Sequence, residues 1–417
     1  MKPGAPVNAL TSREVLRPEK KGLGGLIQRT MFAAMPPAFT FLRRWSPVTK
    51  LGSMYLTSRH DDVREVFATD PAFGVPYKPK LDVIMGGQPF FLGMGDTPQY
   101  RHDTDAMRKV MRREDLPALG RQVEAMAEGI VAGAPGRIEV VDTLVRRVTF
   151  SVLGDYFGVP DPVGGDLRVW GTRLFEFQFV GSMSDKELRA EVDQIAPALR
   201  AHIQNEISRR RAAPGKDDVL SRSLAEQKAG TSGFTDDEIR TAVMGFIVGG
   251  PPQPPMVVPQ AMEQLLRRPE ALAGAQAAAR ADDDELLARY VLEAMRFDPL
   301  APGLPRNVLT DWTLAKGTRH ERTIPAGSTV LAAFASAMMD PRRVANPRCF
   351  DVNRPASDYI HFGYDLHQCF GIHINRATLH MMLKPLLKRP NLRRASGSAG
   401  RLHKNGPFAA SLTVTFG

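Results

Sequence analysis

The stretch FGYDLHQCFG, residues 362–371, decides the fold of this chain, because it places one cysteine between glycine-containing turns ahead of an apolar segment. The following residues, IHINRATLHMMLKPLLKR, carry apolar side chains at helical spacing. Cys369 therefore lies near a predicted helix N-terminus, where unpaired N–H groups and the helix dipole favour a thiolate. A thiolate binds iron or zinc or acts as a nucleophile, whereas the alternative is a buried structural cysteine. The decapeptide alone leaves both interpretations open.

Length and composition indicate a globular protein. The chain has 417 residues, 43% of them apolar, and no Gly/Ser-rich or Pro-rich linker, so we predict a single domain over residues 1–417. The sequence contains no run of about 20 apolar residues, so no transmembrane anchor is expected. The first residues also lack the apolar core of a secretion signal. A cytoplasmic location is expected. The two cysteines cannot form a disulfide framework, and paired CxxC elements typical of zinc sites are absent.

The formal charge of +10 raises the question of an acidic partner. Lysine and arginine are spread through the chain without an aromatic-rich basic ribbon, so we expect no nucleic-acid binding. Several basic residues do lie close to Cys369 in sequence, and they form either a basic face for an acidic protein or an ordinary solvated surface. They are Arg342, Arg343, Arg348, Arg376, Lys384, Lys388 and Arg389.

The order of predicted elements indicates a mainly α-helical chain with small β-sheets, an α+β fold. Strand patterns concentrate in an N-terminal part, roughly residues 45–75, and in residues 305–332. Helical patterns dominate residues 98–215. The last residues, ASLTVTFG, predict the final strand of a hairpin.

Two aromatic stretches are candidate walls of a substrate pocket. Residues 73–95, FGVPYKPKLDVIMGGQPFFLGMG, are rich in Gly, Pro and exposed-looking aromatic residues, and they predict a loop over a binding site. Residues 174–181, LFEFQFVG, form either part of the core or a mobile apolar lid. The candidate substrate contacts are Tyr77, Met85, Phe90, Phe91, Phe177, Phe179, Leu300, Leu304 and Phe408.

A proline cluster interrupts a strong helical pattern in the middle of the chain. A capped helix is predicted from Thr235 through TDDEIRTAVMGFIVGG, and the pattern resumes as MVVPQAMEQLLRR. Between them stands PPQPP, residues 251–255, and an interior proline costs a helix about 3 kcal/mol. The helix must break here, either as a functional interruption or as a loop between two separate helices.

Three motifs taken together resemble the cytochrome P450 superfamily. Glu293-Ala294-Met295-Arg296 lies on a predicted capped helix that places its two charged residues on one face. Phe350 and Arg354 follow, and then the cysteine loop, in the order and at the separations of that family. The resemblance covers essentially the whole chain, including the broken central helix, and it is to a soluble, bacterial-type member.

The resemblance implies a cytochrome P450 fold, with heme b between the central long helix and the helix of the cysteine loop. Cys369 is then the metal ligand, a proximal thiolate whose electron donation favours O–O cleavage. Glu293, Arg296 and Arg354 form a buried ion triad that fixes the cysteine loop, and such a triad needs all three partners.

Other positions of the family pattern imply further heme contacts. His367 and Arg306 match positions that hold the propionates through charge-assisted hydrogen bonds. Phe362 shields the thiolate, and Gly363 and Gly371 belong to the same loop. In the helix that usually offers His and Arg to the propionates, Tyr100 and Thr104 stand at those positions, and the substitutes are Arg101, His102 and Arg108.

The chain departs from the family pattern in two places. Asp365 stands where the loop usually has a second glycine, and aspartate tolerates unusual φ better than most residues. In the central helix, Gly249 and Gly250 match the Ala/Gly-Gly pair, but Pro252 and Gln253 replace the acid–alcohol pair that relays protons to dioxygen. Pro252 cannot carry a proton, although the Gln253 amide can donate a hydrogen bond or position water.

Three functions follow as hypotheses. The first is a monooxygenase that oxidises a small-to-medium hydrophobic substrate with electrons from a ferredoxin and its reductase, docked on a basic proximal face. The second is a peroxygenase or isomerase that uses peroxide or a hydroperoxide, for which a proton relay is unnecessary. The third is a non-catalytic heme sensor, which an apolar substrate pocket disfavours.

Overall fold

The computed structural model describes residues 10, 14–19, 22–213 and 215–417, without the side chains of 23, 24, 26–29, 32 and 33. The chain divides into two compact units. The helical unit comprises residues 1–17 and 77–256, and the mixed unit comprises residues 18–76 and 257–417. Among the described helices, none combines the length and the apolar character needed to cross a membrane.

The described elements are mostly helical. In chain order the α-helices are α1 (Gly22–Trp45), α2 (His60–Ala68), α3 (Lys78–Met85), α4 (Pro98–Val110), α5 (Leu116–Ala132), α6 (Arg147–Phe157), α7 (Leu167–Phe175), α8 (Lys186–Ala212), α9 (Val219–Lys228), α10 (Asp236–Gly249), α11 (Pro254–Leu266), α12 (Pro269–Arg280), α13 (Asp284–Phe297), α14 (Phe334–Ala337) and α15 (Ile372–Lys388). The strands are β1 (Val48–Leu51), β2 (Met54–Thr57), β3 (Phe73–Gly74), β4 (Arg137–Glu139), β5 (Leu304–Val308), β6 (Trp312–Leu314), β7 (Arg322–Ile324), β8 (Thr329–Ala332), β9 (Arg393–Arg394), β10 (His403–Asn405), β11 (Phe408–Ser411) and β12 (Thr413–Thr415). This content confirms the predicted mainly α fold with small sheets.

Helix α10 is the core helix of the helical unit and packs against α6, α7, α8 and α9. A capping box begins it, in which the Thr235 side chain accepts the N–H of Glu238 and the Glu238 carboxylate accepts the N–H of Thr235. Gly245 lets an aromatic ring lie directly on this helix, since a Cβ there would come within 2.2 Å of the Phe90 ring. The absence of a side chain at this position therefore fixes how the segment before α4 packs.

Residues 73–95 are not the loop that the sequence predicted. The chain forms β3 and α3 there, because Pro79 lies in the first turn of α3, where its missing N–H costs no helical bond. Gly86 ends the helix with φ of 68°. Tyr77, Phe90 and Phe91 are buried, not exposed. The prediction was wrong because proline and glycine at the ends of a helix give a segment the same composition as a loop.

The aromatic run of residues 174–181 belongs to the core. A π-helical turn, Glu176–Val180, extends α7, and Phe175 and Phe177 are fully buried. Of the two interpretations left open by the sequence, a part of the core or a mobile lid, the structure therefore supports the first. Phe179 contacts both Phe175 and Tyr77, with ring centroids 4.9 and 5.5 Å apart.

The largest sheet of the mixed unit has the strand order β1-β2-β8-β5-β3. Strands β1 and β2 form a hairpin that turns at Gly52, whose φ is 62°. Strand β2 runs parallel to β8, and β5 runs antiparallel to β8. One face of the sheet, including Tyr55 and Val330, packs on Phe67 of α2 in a buried cluster. The strands predicted in residues 305–332 are confirmed.

Helices α12, α13 and α15 pack against one another in the mixed unit. Asp283 caps α13 by accepting the N–H of Leu286 at 2.9 Å. Helix α15 begins directly after the cysteine loop, and its apolar residues, including Leu379, Met382 and Leu386, are buried as the spacing predicted. The helix therefore gives the cysteine loop a rigid base.

Candidate active site

The cysteine loop folds back on itself before α15. Gly363 and Asp365 both adopt left-handed backbone conformations, with φ of 73° and 58°. The N–H of Cys369 donates to the carbonyl of Phe362 at 2.7 Å, and the N–H of Gln368 donates to the carbonyl of Asp365 at 2.8 Å. These bonds hold Cys369 at a fixed position just before the first turn of α15.

The Cys369 side chain is half-buried, and two N–H donors lie near its sulfur. They are the backbone of Gly371 and the amide of Asn375, whose Nδ2 is 3.9 Å from Sγ. Burial nevertheless raises the pKa of the Cys369 thiol to about 11, because the loss of water outweighs both donors. The thiolate predicted at this helix N-terminus remains a prediction, and a nearby cation such as a bound metal ion would favour it.

Cys369 stands as a single candidate metal ligand. Within the described ranges, the one group of three or more ligand side chains close enough to share an ion is His102, Asp103 and Glu238, in the helical unit. A metal site built from side chains alone usually has about three or four ligands. A metal ion at Cys369 would therefore bring most of its ligands with a cofactor.

Glu293, Arg296 and Arg354 form a buried ion triad, and all three are at most 8% exposed. Arg296 binds both Glu293 oxygens, at 2.9 and 2.7 Å, and Arg354 Nε donates to Oε1 at 3.1 Å. Tyr359 adds a hydroxyl donor to Oε2 at 3.1 Å. Burial and the Glu293 charge raise the pKa of Tyr359, so it remains a donor at neutral pH.

The two arginines of the triad also hold the backbone that precedes the cysteine loop. Arg296 donates to the carbonyl of Pro347 at 2.8 Å, and Arg354 donates to the carbonyls of Asn346 and Cys349 at 2.9 and 2.8 Å. Glu293 accepts the N–H of Asp351 at 3.0 Å. The irregular segment 345–351 therefore owes its shape to one charged network.

Arg306 and His367 are both buried and electrostatically coupled. His367 Nε2 lies 3.0 Å from Asp70 Oδ1, and the Arg306 guanidinium lies over the Phe67 ring, 4.8 Å from its centroid. Burial, and then the positive charge of Arg306, lower the pKa of His367. The two side chains thus form a nitrogen-donor pair in the interior of the mixed unit.

The predicted break of the central helix is present, and a side chain of the break itself hydrogen-bonds a backbone carbonyl that the break exposes. Helix α10 ends at Gly249, four residues follow without helical structure, and α11 begins at Pro254. The side-chain amide of Gln253 donates to the Gly249 carbonyl, which the break would otherwise leave without its helical partner. A Cβ built on Gly249 would meet no atom within 4 Å, so this position borders open space.

Comparison with known proteins decides the family. A family model described as "Cytochrome P450" matches residues 173–407, more than half of the chain. The chain belongs to the cytochrome P450 family. Family membership implies a heme with a thiolate ligand, and it agrees with the presence of the charged triad and Cys369 in one unit.

The relatives of this P450 are oxidoreductases by name. It is 25% identical over 412 residues to the vitamin D(3) 25-hydroxylase of Pseudonocardia autotrophica, covering 94% of this chain and 96% of that protein. It is also 25% identical to the cytochrome P450 monooxygenase PikC of Streptomyces venezuelae, covering 86% and 84%. The ligand-free structure of cytochrome P450 TbtJ1 superposes with a TM-score of 0.77 at 23% identity, over 92% and 98% of the two chains. This P450 is therefore an oxidoreductase of the monooxygenase type.

The residues of the mixed unit fit a heme. Cys369 offers one sulfur with two N–H donors and no competing protein ligands in the described ranges, as a cofactor-held iron requires. Arg306 and His367 offer buried nitrogen donors suited to carboxylates. Phe362, Gly363 and Gly371 shape the loop around the sulfur.

On α4, the residues at and beside the family's propionate-binding positions have contrasting environments. Tyr100 and Thr104 are buried, and Thr104 donates to the Tyr100 carbonyl at 2.9 Å. Arg101 instead points to solvent and pairs with Asp96 at 2.6 Å. Its predicted contact with a propionate remains a prediction, as does that of Tyr100.

The structure brings some of the predicted substrate contacts together. In the helical unit, Phe90 and Phe91 lie 4.2 Å apart, and Phe91 also contacts Tyr100. Phe177 and Met85 are fully buried in the same unit. In the mixed unit, Leu300 lines a cavity, Leu304 begins β5 and Phe408 begins β11. No contact with a substrate follows from these positions alone.

Sequence reasoning missed three polar residues. Asn375 donates toward the Cys369 sulfur, and Tyr359 completes the hydrogen bonding of Glu293. Gln178 is 2% exposed, and neither atom of its amide has a hydrogen-bond partner among the described residues. The one signal for Gln178 was an amide among the aromatic residues of LFEFQFVG, and only coordinates reveal that this amide is unpaired.

Proposed function

We propose that this P450 is a monooxygenase that oxidises a hydrophobic molecule of small or medium size with electrons from a ferredoxin-like partner. The observation that carries this proposal is Cys369, a lone sulfur held by the N–H of Gly371 and the amide of Asn375 on a fixed loop. A hydroxylase and a monooxygenase among its relatives support the reaction type.

Each residue of the site has a proposed task. When bound, heme b would supply the redox-active iron that oxygen insertion needs. Cys369 would hold the heme through its sulfur, and Arg306 and His367 would bind its propionates. Glu293, Arg296 and Arg354 position the backbone before the cysteine loop, so that the sulfur stays in place without relying on surface contacts.

The aromatic residues of the helical unit are proposed to bind the substrate. Tyr77, Phe179 and the Phe90–Phe91 pair present apolar surface and exclude water. The open space beside Gly249 belongs to the same unit and supports a substrate site there. The substrate class is therefore hydrophobic, with size set by these rings.

A ferredoxin-like partner is proposed to bind basic residues of the mixed unit. Several of the candidates already pair with acids: Arg343 with Asp61 at 2.7 Å, and Lys384 with Asp284 at 2.7 Å. Arg376 is exposed, in the second turn of α15 after the cysteine loop. Of this set, Arg376 is the proposed contact for an acidic partner.

One observation favours a second candidate, a peroxygenase or hydroperoxide isomerase. Pro252 has no proton to give, and the Gln253 amide is engaged by the Gly249 carbonyl. The usual acid–alcohol pair is thus absent from the break, and delivery of protons to dioxygen would need water or a substrate hydroxyl. An oxidant that already carries a reduced O–O bond needs no such delivery.

A feed experiment separates the candidates. Heme-loaded protein is incubated with a panel of hydrophobic substrates and either NAD(P)H with a surrogate ferredoxin and reductase, or peroxide or a lipid hydroperoxide alone. We expect turnover with the electron chain. Turnover with peroxide alone would support the second candidate, and no turnover with any feed would indicate a sensor.

Substitution of Cys369 tests the ligand. We expect Cys369→Ala to abolish the red-shifted absorption band of the reduced carbon monoxide complex, because that band depends on a thiolate ligand. Cys349→Ala is the matched control, since it removes the other cysteine of the chain and should leave the band unchanged. Persistence of the band in Cys369→Ala would refute thiolate ligation by this residue.

A further inference from the structure

The mixed unit contains a large cavity that is lined by one of the predicted substrate contacts, Leu300, and by none of the proposed heme contacts. Its volume is about 1530 Å³, more than a drug-sized ligand needs. It is lined by parts of α1 and α11, the end of α13, residues 299–302, residues within 335–349 and the β10–β11 hairpin. Neither Cys369 nor any other residue of the loop 362–371 lines it. The cavity is therefore a separate feature from the cysteine site.

One side of the cavity is apolar. Met35, Pro37 and Phe39 of α1 face it, together with Leu300 and Pro302 beyond the end of α13. Phe39 is buried at 8% exposure. These side chains offer aliphatic and aromatic surface that gains free energy when an apolar ligand covers it.

A buried arginine also lines the cavity. Arg43 is 7% exposed, and its guanidinium donates to the Ser336 carbonyl at 3.1 Å, to Ser336 Oγ at 2.9 Å and to Thr40 Oγ1 at 3.2 Å. All of these acceptors are neutral. Among the described residues no carboxylate forms an ion pair with it, although a buried charge without a counter-charge is costly.

Two more arginines lie close to Arg43 on the cavity wall. Arg342 and Arg348 both line the cavity and are exposed. Burial lowers the pKa of Arg43, and the positive charges of Arg342 and Arg348 lower it further, against one nearby acid, Asp340. Asp340 already accepts from Arg342 at 3.0 Å and from the N–H of His60 at 3.1 Å. The group therefore carries excess positive charge.

We propose that this cavity binds a long-chain carboxylate, a fatty-acid-type amphiphile, with its head group on Arg43, Arg342 and Arg348 and its chain along Phe39 and Leu300. Guanidinium groups bind carboxylates through paired charge-assisted hydrogen bonds. The presence of three cations and of apolar side chains in one cavity matches such a molecule. Three carboxylates line the cavity, and each already has a partner: Glu19 contacts His403, Glu263 pairs with Arg394, and Asp298 pairs with Lys404.

A cysteine on the wall provides a local reporter. Cys349 lines the cavity and is exposed, and the remaining cysteine of the chain, Cys369, is the proposed heme ligand. Dodecanoate bound in the cavity should protect Cys349 from a maleimide in the heme-loaded protein. Dodecanol, which lacks the charge, and inorganic phosphate, which lacks the chain, should protect it much less. Cys349→Ser confirms the labelled residue.

The decisive comparison uses two neighbouring arginines. Arg348→Gln should weaken dodecanoate binding, measured by calorimetry and by Cys349 protection, about tenfold, which corresponds to one lost charged contact. Arg343→Gln is the matched control, because Arg343 pairs with Asp61 and does not line the cavity. Both positions are exposed, so neither variant should impair folding.

Three results would overturn the proposal. They are equal dodecanoate affinity in Arg348→Gln and Arg343→Gln, equal protection by dodecanol or by phosphate, and a shift of the heme Soret band by dodecanoate without protection of Cys349. The last result would place the molecule at the heme site. The outcome does not depend on whether the protein turns over substrate with a ferredoxin or with peroxide, so failure of the proposed function leaves this test intact.

Discussion

Asp365 shows how a single residue can depart from a family pattern and keep its backbone. The cysteine loop needs a left-handed residue after Tyr364, and glycine is the usual solution. Aspartate is one of the few other residues that tolerate this region, and Asp365 adopts φ of 58°. The sequence-based expectation of an unusual φ at this position is confirmed. The side chain is exposed, so packing does not explain its presence.

Replacing Asp365 tests whether the backbone conformation is what matters. Asp365→Val should destabilise the heme-loaded protein by about 1–3 kcal/mol, because a β-branched residue is strained at positive φ. Asp365→Gly should stay within about 1 kcal/mol of the original protein, since glycine relieves strain but loosens the unfolded chain. Urea unfolding measures both. Equal losses for the two variants would mean that the carboxylate itself, not the backbone, stabilises the loop.

At the scale of elements, α13 and the segment 345–351 behave as one charged assembly. The i, i+3 spacing of Glu293 and Arg296 was readable from the sequence, because a helix places such residues on one face. The carbonyls of Pro347 and Cys349 as acceptors were not readable, since they belong to a segment without periodic structure. Local spacing predicts which side chains meet, whereas the backbone they bind depends on the tertiary fold.

Neutralising the acid of this assembly should be costly. Glu293→Gln leaves buried Arg296 without its counter-charge and Arg354 with only Asp358, 3.8 Å away, and we expect a loss of about 3–5 kcal/mol in the free energy of unfolding. Glu285→Gln, an exposed change in the first turn of the same helix, is the control and should stay within about 0.5 kcal/mol. Chemical unfolding of the heme-loaded proteins gives both values. A loss below about 1 kcal/mol for Glu293→Gln would contradict a triad that requires its charge.

At the scale of the whole molecule, motif residues were more predictable than packing. The mainly helical content and the broken central helix follow from periodicity and proline chemistry, whereas the triad followed from the resemblance to the family. The buried state of Tyr77 and Phe91 did not follow, because the partners of these rings are distant in sequence. The burial of the Cys369 sulfur also did not follow, since desolvation depends on all surrounding atoms and not on the helix that follows. The single-domain prediction remains a prediction.

The pH dependence of stability should carry the signature of one buried acid. Burial raises the pKa of Asp62 in the first turn of α2 from 3.8 to about 6. The folded protein therefore holds a proton that the unfolded chain has lost between about pH 4 and pH 6, and stability falls as pH rises through this window. Asp62→Asn should be more stable than the original protein by about 1–3 kcal/mol at pH 7 and equal to it below pH 4.

The neighbouring acid provides a control of opposite sign. Hydrogen bonding to Arg343 lowers the pKa of Asp61, so its ionised form contributes stability that is lost as pH falls. Asp61→Asn should therefore reduce the melting temperature at pH 7, where Asp62→Asn raises it. Thermal melts of the heme-loaded proteins at pH 4 and pH 7 measure both effects. A pH-independent difference for Asp62→Asn would assign its effect to packing.

The hydrogen bond from Gln253 to the Gly249 carbonyl limits how this chain can change by mutation. The substitution Gln253→Thr would either leave the Gly249 carbonyl unpaired or engage the new hydroxyl with it. Pro252 would still offer no acid. A single change to an acid at 252 would add a charge beside a helix break that Gln253 still closes. Neither step alone restores the acid–alcohol pair, so both positions would have to change together to supply it.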